Sequence, residues 1–306
     1  MDKREKCSYF ERLIKKNGQC DSLFIEQYLS GSGNELEHKF WSDKSSSRLC
    51  FDLYSWLCLD NRIKNFQFEK KLPGVLWRKN LSAAPPNMDV YFEIDDNVVF
   101  IESKYTEKAS WKYIKKEDKD SNGNYPLSEA YWGDSFYKSS KLTSAERFYG
   151  YKEIAKSFRD FCCSIQENID SNRTHASELQ WFDPKQETCH LFGIIFYILF
   201  GCKDNKFNDK TIILSNNVWK CIDSNDNFDV ENTIVQVFKE KSEEMLNEIF
   251  RKYNCKFIFE HNSIQDDVLN GKFLNLDFES AQMFGLNEKI SVKDYILQKY
   301  RCIKRG

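Results

Sequence analysis

Glycine and proline are scarce in this 306-residue chain, 12 and 5 in all, which excludes collagenous and low-complexity repeats. Histidine is scarcer still, with four, and the eleven cysteines between Cys7 and Cys302 never form a CxxC pair. A zinc ribbon or dithiol redox motif needs closely spaced ligands, so both are excluded. The longest apolar run, Leu191 to Cys202, is twelve residues, against the roughly 20 that span a bilayer. The opening Met-Asp-Lys-Arg-Glu-Lys carries no apolar signal-peptide region. These absences together lead one to expect a cytoplasmic protein whose cysteines act as small hydrophobes. Charge of one sign is missing too. The 45 basic residues nearly cancel the 47 acidic ones, so a globally basic nucleic-acid coat is excluded, though a local basic cleft is not.

What the chain does have is apolar material, 41% hydrophobic and 15% aromatic, enough for a sizeable core. After the breaker Gly31-Ser32-Gly33, Asn34 offers an N-cap for a short helix and Ser45-Ser46-Ser47 caps a longer one. In the longer helix Leu49, Leu53, Trp56 and Leu57 share one face. Three strand-like segments follow, Phe66–Lys70, Met88–Ile94 and Val98–Lys104. From Thr106 to Asp183 the chain is polar and irregular, with Ala145–Ile169 its best helix. Asp183-Pro184 then opens an apolar helix to about Gly201. A strand at Thr211–Ser215, a helix around Glu231–Tyr253 and a strand at Cys255–Glu260 complete the pattern. Sequential strands, a crossover helix and another strand indicate an α/β fold whose sheet is covered on both faces.

The chemistry concentrates in one hairpin. A two-residue turn at Asp95-Asp96 pairs Val90 with Ile101 and Phe92 with Val99, and sets Asp89 opposite Glu102. Side chains alternate faces, so the apolar pairs share one face while Asp89, Glu102 and Lys104 share the other. Directly opposed residues have Cβ atoms about 5 Å apart, and two carboxylates so placed repel unless a cation or proton lies between them. Two acids holding a divalent ion beside a lysine suit phosphodiester hydrolysis. The triplet Glu102-Ser103-Lys104 means little alone, since Glu69-Lys70-Lys71 and Asp204-Asn205-Lys206 match it as well. The register singles it out. The competing reading is a solvated face carrying a weak Glu102–Lys104 ion pair.

Pro86-Asn87-Met88-Asp89 followed by Glu102-Ser103-Lys104 resembles the PD-(D/E)xK nuclease superfamily. The chain is similar, more narrowly, to a little-characterised bacterial group of restriction-endonuclease-like proteins. The likeness rests on blocks in one order over residues 31–215. They are Gly33-Asn34-Glu35-Leu36-Glu37 with Lys39-Phe40, Ser45-Ser46-Ser47, Phe68-Glu69, Pro85 to Asp89, Ile101 to Lys104 with Thr106-Glu107, and Gln186 with His190 to Gly193. Asp52 departs from the group's usual Asn, Met88 from its Leu, and the segment after Pro73 is altered. None of these removes an expected acid or the lysine.

The resemblance implies a restriction-endonuclease-like core, a central mixed β-sheet flanked by helices, plus a helical insertion. The expected division is an N-terminal helical segment (1–30), a core (31–104 and 184–215), an insertion (105–183) and a C-terminal α/β extension (216–306). It implies a Mg²⁺-dependent endodeoxyribonuclease of restriction or defence type, with Mn²⁺ able to substitute. DNA would be the partner and a homodimer is compatible. Asp89, Glu102 and Glu35 would bind metal, and Lys104 would position the attacking water. Glu35 also fits a first-turn helix acid. Glu69, ending the first core strand, is a further candidate acid or a solvated strand end.

Gln186 and His190, one helical turn apart, are candidate substrate contacts. Gln186 is equally the N3 residue of a capping box begun by Asp183, and His190 equally a core histidine. Lys70 and Lys71 belong to a basic stretch, Arg62 to Leu81, that would line a phosphate-binding wall or simply face solvent. The competing functions are a non-catalytic nucleic-acid-binding or regulatory protein on the same scaffold, and an exonuclease or RNase.

Overall fold

A computed structural model of the chain describes residues 21–30, 36, 40–42, 45–72, 86–105, 151–171, 182–220, 228–283 and 289–300. Its elements in chain order are α1 (Asp21–Ser30), α2 (Ser46–Tyr54), β1 (Ile63–Lys71), β2 (Asn87–Ile94), β3 (Asn97–Lys104), α3 (Tyr151–Ser171), α4 (Pro184–Lys203), β4 (Thr211–Val218), α5 (Phe228–Phe250), β5 (Lys256–Ser263) and α6 (Val292–Lys299). The fold is α/β, and helices flank one five-stranded mixed sheet ordered β1-β2-β3-β4-β5. Strands β1 to β3 form an antiparallel meander, while β3, β4 and β5 run parallel.

Burial on both faces explains the near-continuous apolar runs Val98–Ile101 and Ile212–Leu214. Tyr91, Val98, Phe100, Ile212, Leu214, Phe257 and Phe259 pack under α3, α4 and α5. Phe68, Val90, Phe92, Val99 and Ile101 pack under α1, α2 and the C-terminal segment. The hairpin pairs Val90 with Ile101, Phe92 with Val99 and Ile94 with Asn97, the register that its alternation predicts. Asp95 takes the left-handed conformation (φ 50°) that closes the two-residue turn.

Helix α4 starts where the sequence places it. The Asp183 carboxylate accepts from the Lys185 and Gln186 N–H groups at 3.0 and 3.1 Å, and Pro184 follows at N1. Its apolar residues run round most of its surface because it is sandwiched in the core. On the opposite face α2 is buried along its whole length behind an N-cap on Ser45. Asp52 projects from it to accept hydrogen bonds from Arg48 (2.9 Å), Lys299 (2.5 Å) and Tyr300 (2.7 Å), which fastens α6 to α2. Strand β4 runs three residues past the predicted Ser215. Asn217 is buried in a network with Ser215, Asn262 and the Tyr54 hydroxyl instead of forming a turn. Among the described residues no helix is long and apolar enough to cross a membrane, and the seven cysteines are free thiols.

Candidate active site

Because β3, β4 and β5 are parallel, their carboxyl ends lie at one edge of the sheet, where open α/β sheets take their ligands. On the α4 face the apolar row Phe100–Leu214–Phe259 gives way, two residues further along, to Glu102–Asn216–His261. The antiparallel neighbours extend this polar row. The pairs Phe68–Val90 and Lys70–Met88 bracket a Glu69–Asp89 level on β1 and β2, and the β2–β3 register would set Asp89 level with Glu102. Three acids therefore come from three adjacent strands at one height.

The ladder between β2 and β3 stops at Val90–Ile101, and one step on Asp89 Oδ2 accepts the Ser103 N–H at 2.7 Å. Glu102 is deeply buried. Its Oε1 accepts from Lys104 Nζ at 2.6 Å and from Gln186 Nε2 at 2.8 Å. Lys104 Nζ also donates to Gln186 Oε1 at 2.7 Å, closing a three-membered ring of side chains. His190 Nε2 lies 3.7 Å from the other Glu102 oxygen, and its Nδ1 lies 3.4 Å from Glu187 Oε2. Sequence-predicted Asp89, Glu102, Lys104, Gln186 and His190 thus come together.

Gln186 does not close a capping box. Asp183 caps its N–H, but its side chain turns to Glu102 and Lys104. Glu69 reaches the same end of the sheet, accepting from Asn87 Nδ2 at 3.4 Å, and its backbone is left-handed (φ 50°). Lys71 is exposed at the end of β1. Lys70 turns away from the carboxylates. Its Nζ donates to Gln67 at 3.1 Å and stacks 5.0 and 4.8 Å from the Tyr91 and Tyr197 rings, beside a groove of about 550 Å³. Arg62 is committed to Asp60, so that end of the basic stretch is already neutralised. Glu35 lies outside the described residues.

Burial and like charge shape the electrostatics. Burial pushes the Asp89 carboxyl well up, Glu102 and Glu69 add to it, and Lys104 opposes them. Burial pulls the Lys104 ammonium down, but Glu102 and Asp89 outweigh it, so Lys104 stays charged. Burial likewise pulls His190 down, and Glu102 and Glu187 reverse the sign. On the α2 side burial pushes the Cys50 thiol and the Tyr54 hydroxyl up, and the Asp89 charge adds to both.

Three residues of this neighbourhood escape the sequence reading. Glu187 looks like an ordinary first-turn acid, and nothing local reveals its full burial. Asn216 and His261 join the row only through parallel pairing of distant strands, although the polar ending of Ile-Ile-Leu-Ser-Asn-Asn is a readable hint.

Hard oxygen donors with unspent lone pairs suit Mg²⁺, which binds through one or two carboxylates and keeps waters. Asp89 Oδ1 has no hydrogen-bond partner among the described residues, and Glu102 Oε2 faces only His190. Those two oxygens are of the type such an ion takes. Among the described residues no group of three or more His, Cys, Asp or Glu side chains is arranged to hold a metal. Comparison with protein-family models, curated proteins and solved structures finds no match in any of the three.

Proposed function

We propose that the chain is a metal-dependent endodeoxyribonuclease of the PD-(D/E)xK, restriction-endonuclease-like type. The observation that carries the reading is the Lys104 ammonium seated 2.6 Å from Glu102 Oε1, with Asp89 on the adjacent antiparallel strand, at the end of the mixed sheet where the parallel strands finish. Supporting it, with α3 set aside as part of the insertion, α2, β1 to β3, α4 and β4 follow the helix, three strands, helix, strand order of that core.

Asp89 and Glu102 would hold Mg²⁺ or Mn²⁺, which supplies a water of lowered pKa and shields the attacked phosphate. Lys104 remains an ammonium, so it acts as a donor and not as a proton acceptor. Two of its three N–H bonds go to Glu102 and Gln186, and the third is left to orient the attacking oxygen or neutralise charge on the phosphate. Gln186 and Glu102 fix the direction of that third bond. In-line attack would leave a 5′-phosphate and a 3′-hydroxyl.

The test is supercoiled plasmid incubated with purified protein and Mg²⁺ or Mn²⁺, beside Lys104→Ala. Nicked or linear product from the wild type alone is expected. Equal cleavage by both proteins would remove Lys104 from the chemistry. Plasmid binding without cleavage under either ion would favour the non-catalytic alternative, and degradation of linear DNA alone would favour an exonuclease.

A further inference from the structure

Glu187 is completely buried in the first turn of α4, where an acid gains the helix dipole equally well at the surface. Burying a carboxylate costs several kcal/mol unless a partner offsets it. The partner here is His190 on the same helix, whose Nδ1 lies 3.4 Å from Glu187 Oε2, while Glu187 Oε1 is buried without a hydrogen bond. The opposite edge of that imidazole faces Glu102 Oε2 at 3.7 Å, beyond hydrogen-bond reach but in contact. Lys104 and Gln186 hold Oε1 of Glu102, and among the described residues His190 borders the other oxygen.

We infer that Glu187 is a positioning residue for the ion-binding carboxylate. It locks the orientation of the His190 ring, and the ring fixes the rotamer of Glu102 from the side that Lys104 and Gln186 do not reach. The inference rests on the metal reading of Asp89 and Glu102 and extends it to a carboxylate that touches neither ion nor substrate. Outer groups that orient a metal-binding side chain typically change affinity or activity by roughly 10- to 100-fold.

Calorimetric titration of the full-length chain with Mn²⁺ tests this, using wild type, Asp89→Asn, Glu187→Gln, His190→Gln and the Glu187→Gln/His190→Gln double variant. The wild type should bind and Asp89→Asn should not. Glu187→Gln should bind roughly 10-fold more weakly or worse. The double variant should bind no more weakly than His190→Gln alone, because Glu187 acts through His190. Additive losses, or unchanged affinity in Glu187→Gln, would overturn the inference while leaving the metal site standing. A wild type that binds no Mn²⁺ would overturn the site reading itself. Thermal melts without ion separate a packing defect, which lowers the transition but leaves the affinity of the folded protein unchanged. Should Glu187→Gln fail to fold, Glu187→Asp keeps the charge on a shorter arm and is expected to bind with intermediate affinity. Wild-type affinity in it would overturn the inference.

Discussion

The Gln186 side-chain amide bridges the Glu102–Lys104 pair, donating to the carboxylate at 2.8 Å and accepting from the ammonium at 2.7 Å. Neither charged group can swing without breaking a bond to it. Gln186→Ala should therefore lower the plasmid-nicking rate by roughly 10- to 100-fold. The cost in stability should be about 1.5–3 kcal/mol, that of a hydrogen bond to a buried charged group. Gln186→Glu should be worse in activity, because a third carboxylate competes for Lys104 and repels Glu102. Single-turnover cleavage and urea unfolding of the same preparations check both halves. A mutant with full activity would mean that Lys104 is oriented without the amide.

His261, level with Glu102 two strands away, gives the fold a pH dependence whose sign is determinate. Burial, with Lys220 adding to it, pushes its imidazole down to about 3. The unfolded chain takes up that proton near pH 6.5, the folded chain only near 3. Between those values the unfolded state binds more protons, so this contribution to stability is present above pH 6.5 and is lost as pH falls. From pH 6.5 to 5 the loss should be about 1.5 kcal/mol. In His261→Phe that part of the slope should vanish, as measured by urea midpoints across the range. An unchanged slope would place the acid sensitivity elsewhere.

How much of this was readable in the chain depends on the range of the interaction. The β2–β3 register follows from alternation and a two-residue turn, and Val90–Ile101 and Phe92–Val99 pair accordingly. The four-residue spacing of Gln186 and His190 puts both on the face that meets Glu102. What local pattern does not carry is the destination of a side chain whose neighbours come from far away. Lys70 turns to Tyr197, Glu187 is sealed in by the packing of α4 on the sheet, and His261 reaches the row through two parallel pairings. Nor does a strand-like segment announce a left-handed residue, and β1 holds two, Asn65 and Glu69.

Asp52 collects Arg48, Lys299 and Tyr300 around one buried carboxylate, and it stands where the resemblance leads one to expect Asn. Asp52→Ala removes the buried carboxylate that Arg48, Lys299 and Tyr300 share and should cost about 3 kcal/mol, as removing one partner of a buried pair does. Asp52→Asn keeps an acceptor for Tyr300 but loses the charge, so it should cost less. Because these bonds hold α6 against α2, limited proteolysis of Asp52→Ala should trim the C-terminal segment first. Uniform digestion of the variant would show that apolar contacts of Ile296 and Tyr300 hold the helix unaided.

Glu69 combines a left-handed backbone (φ 50°), a buried side chain and a place level with Asp89. A non-glycine residue held there costs of order 1 kcal/mol or more and persists where the surroundings enforce it. Glycine adopts the same conformation freely. If the strain only shapes β1, Glu69→Gly should stabilise the protein and leave cleavage untouched. If the acid belongs to the site, its removal lowers the charge that raises Asp89 and weakens hold on the divalent ion. The expected outcome is the second. Thermal stability should change by less than about 1 kcal/mol because relieved strain offsets lost hydrogen bonds. Cleavage should fall at least roughly 10-fold and recover partly at high Mn²⁺. Measuring both on Glu69→Gly and Glu69→Gln separates backbone from side chain, since only the glycine variant relaxes the strain while both lose the charge. Equal cleavage by all three proteins would give Glu69 a structural role in β1 and leave Asp89 and Glu102 as the proposed acids.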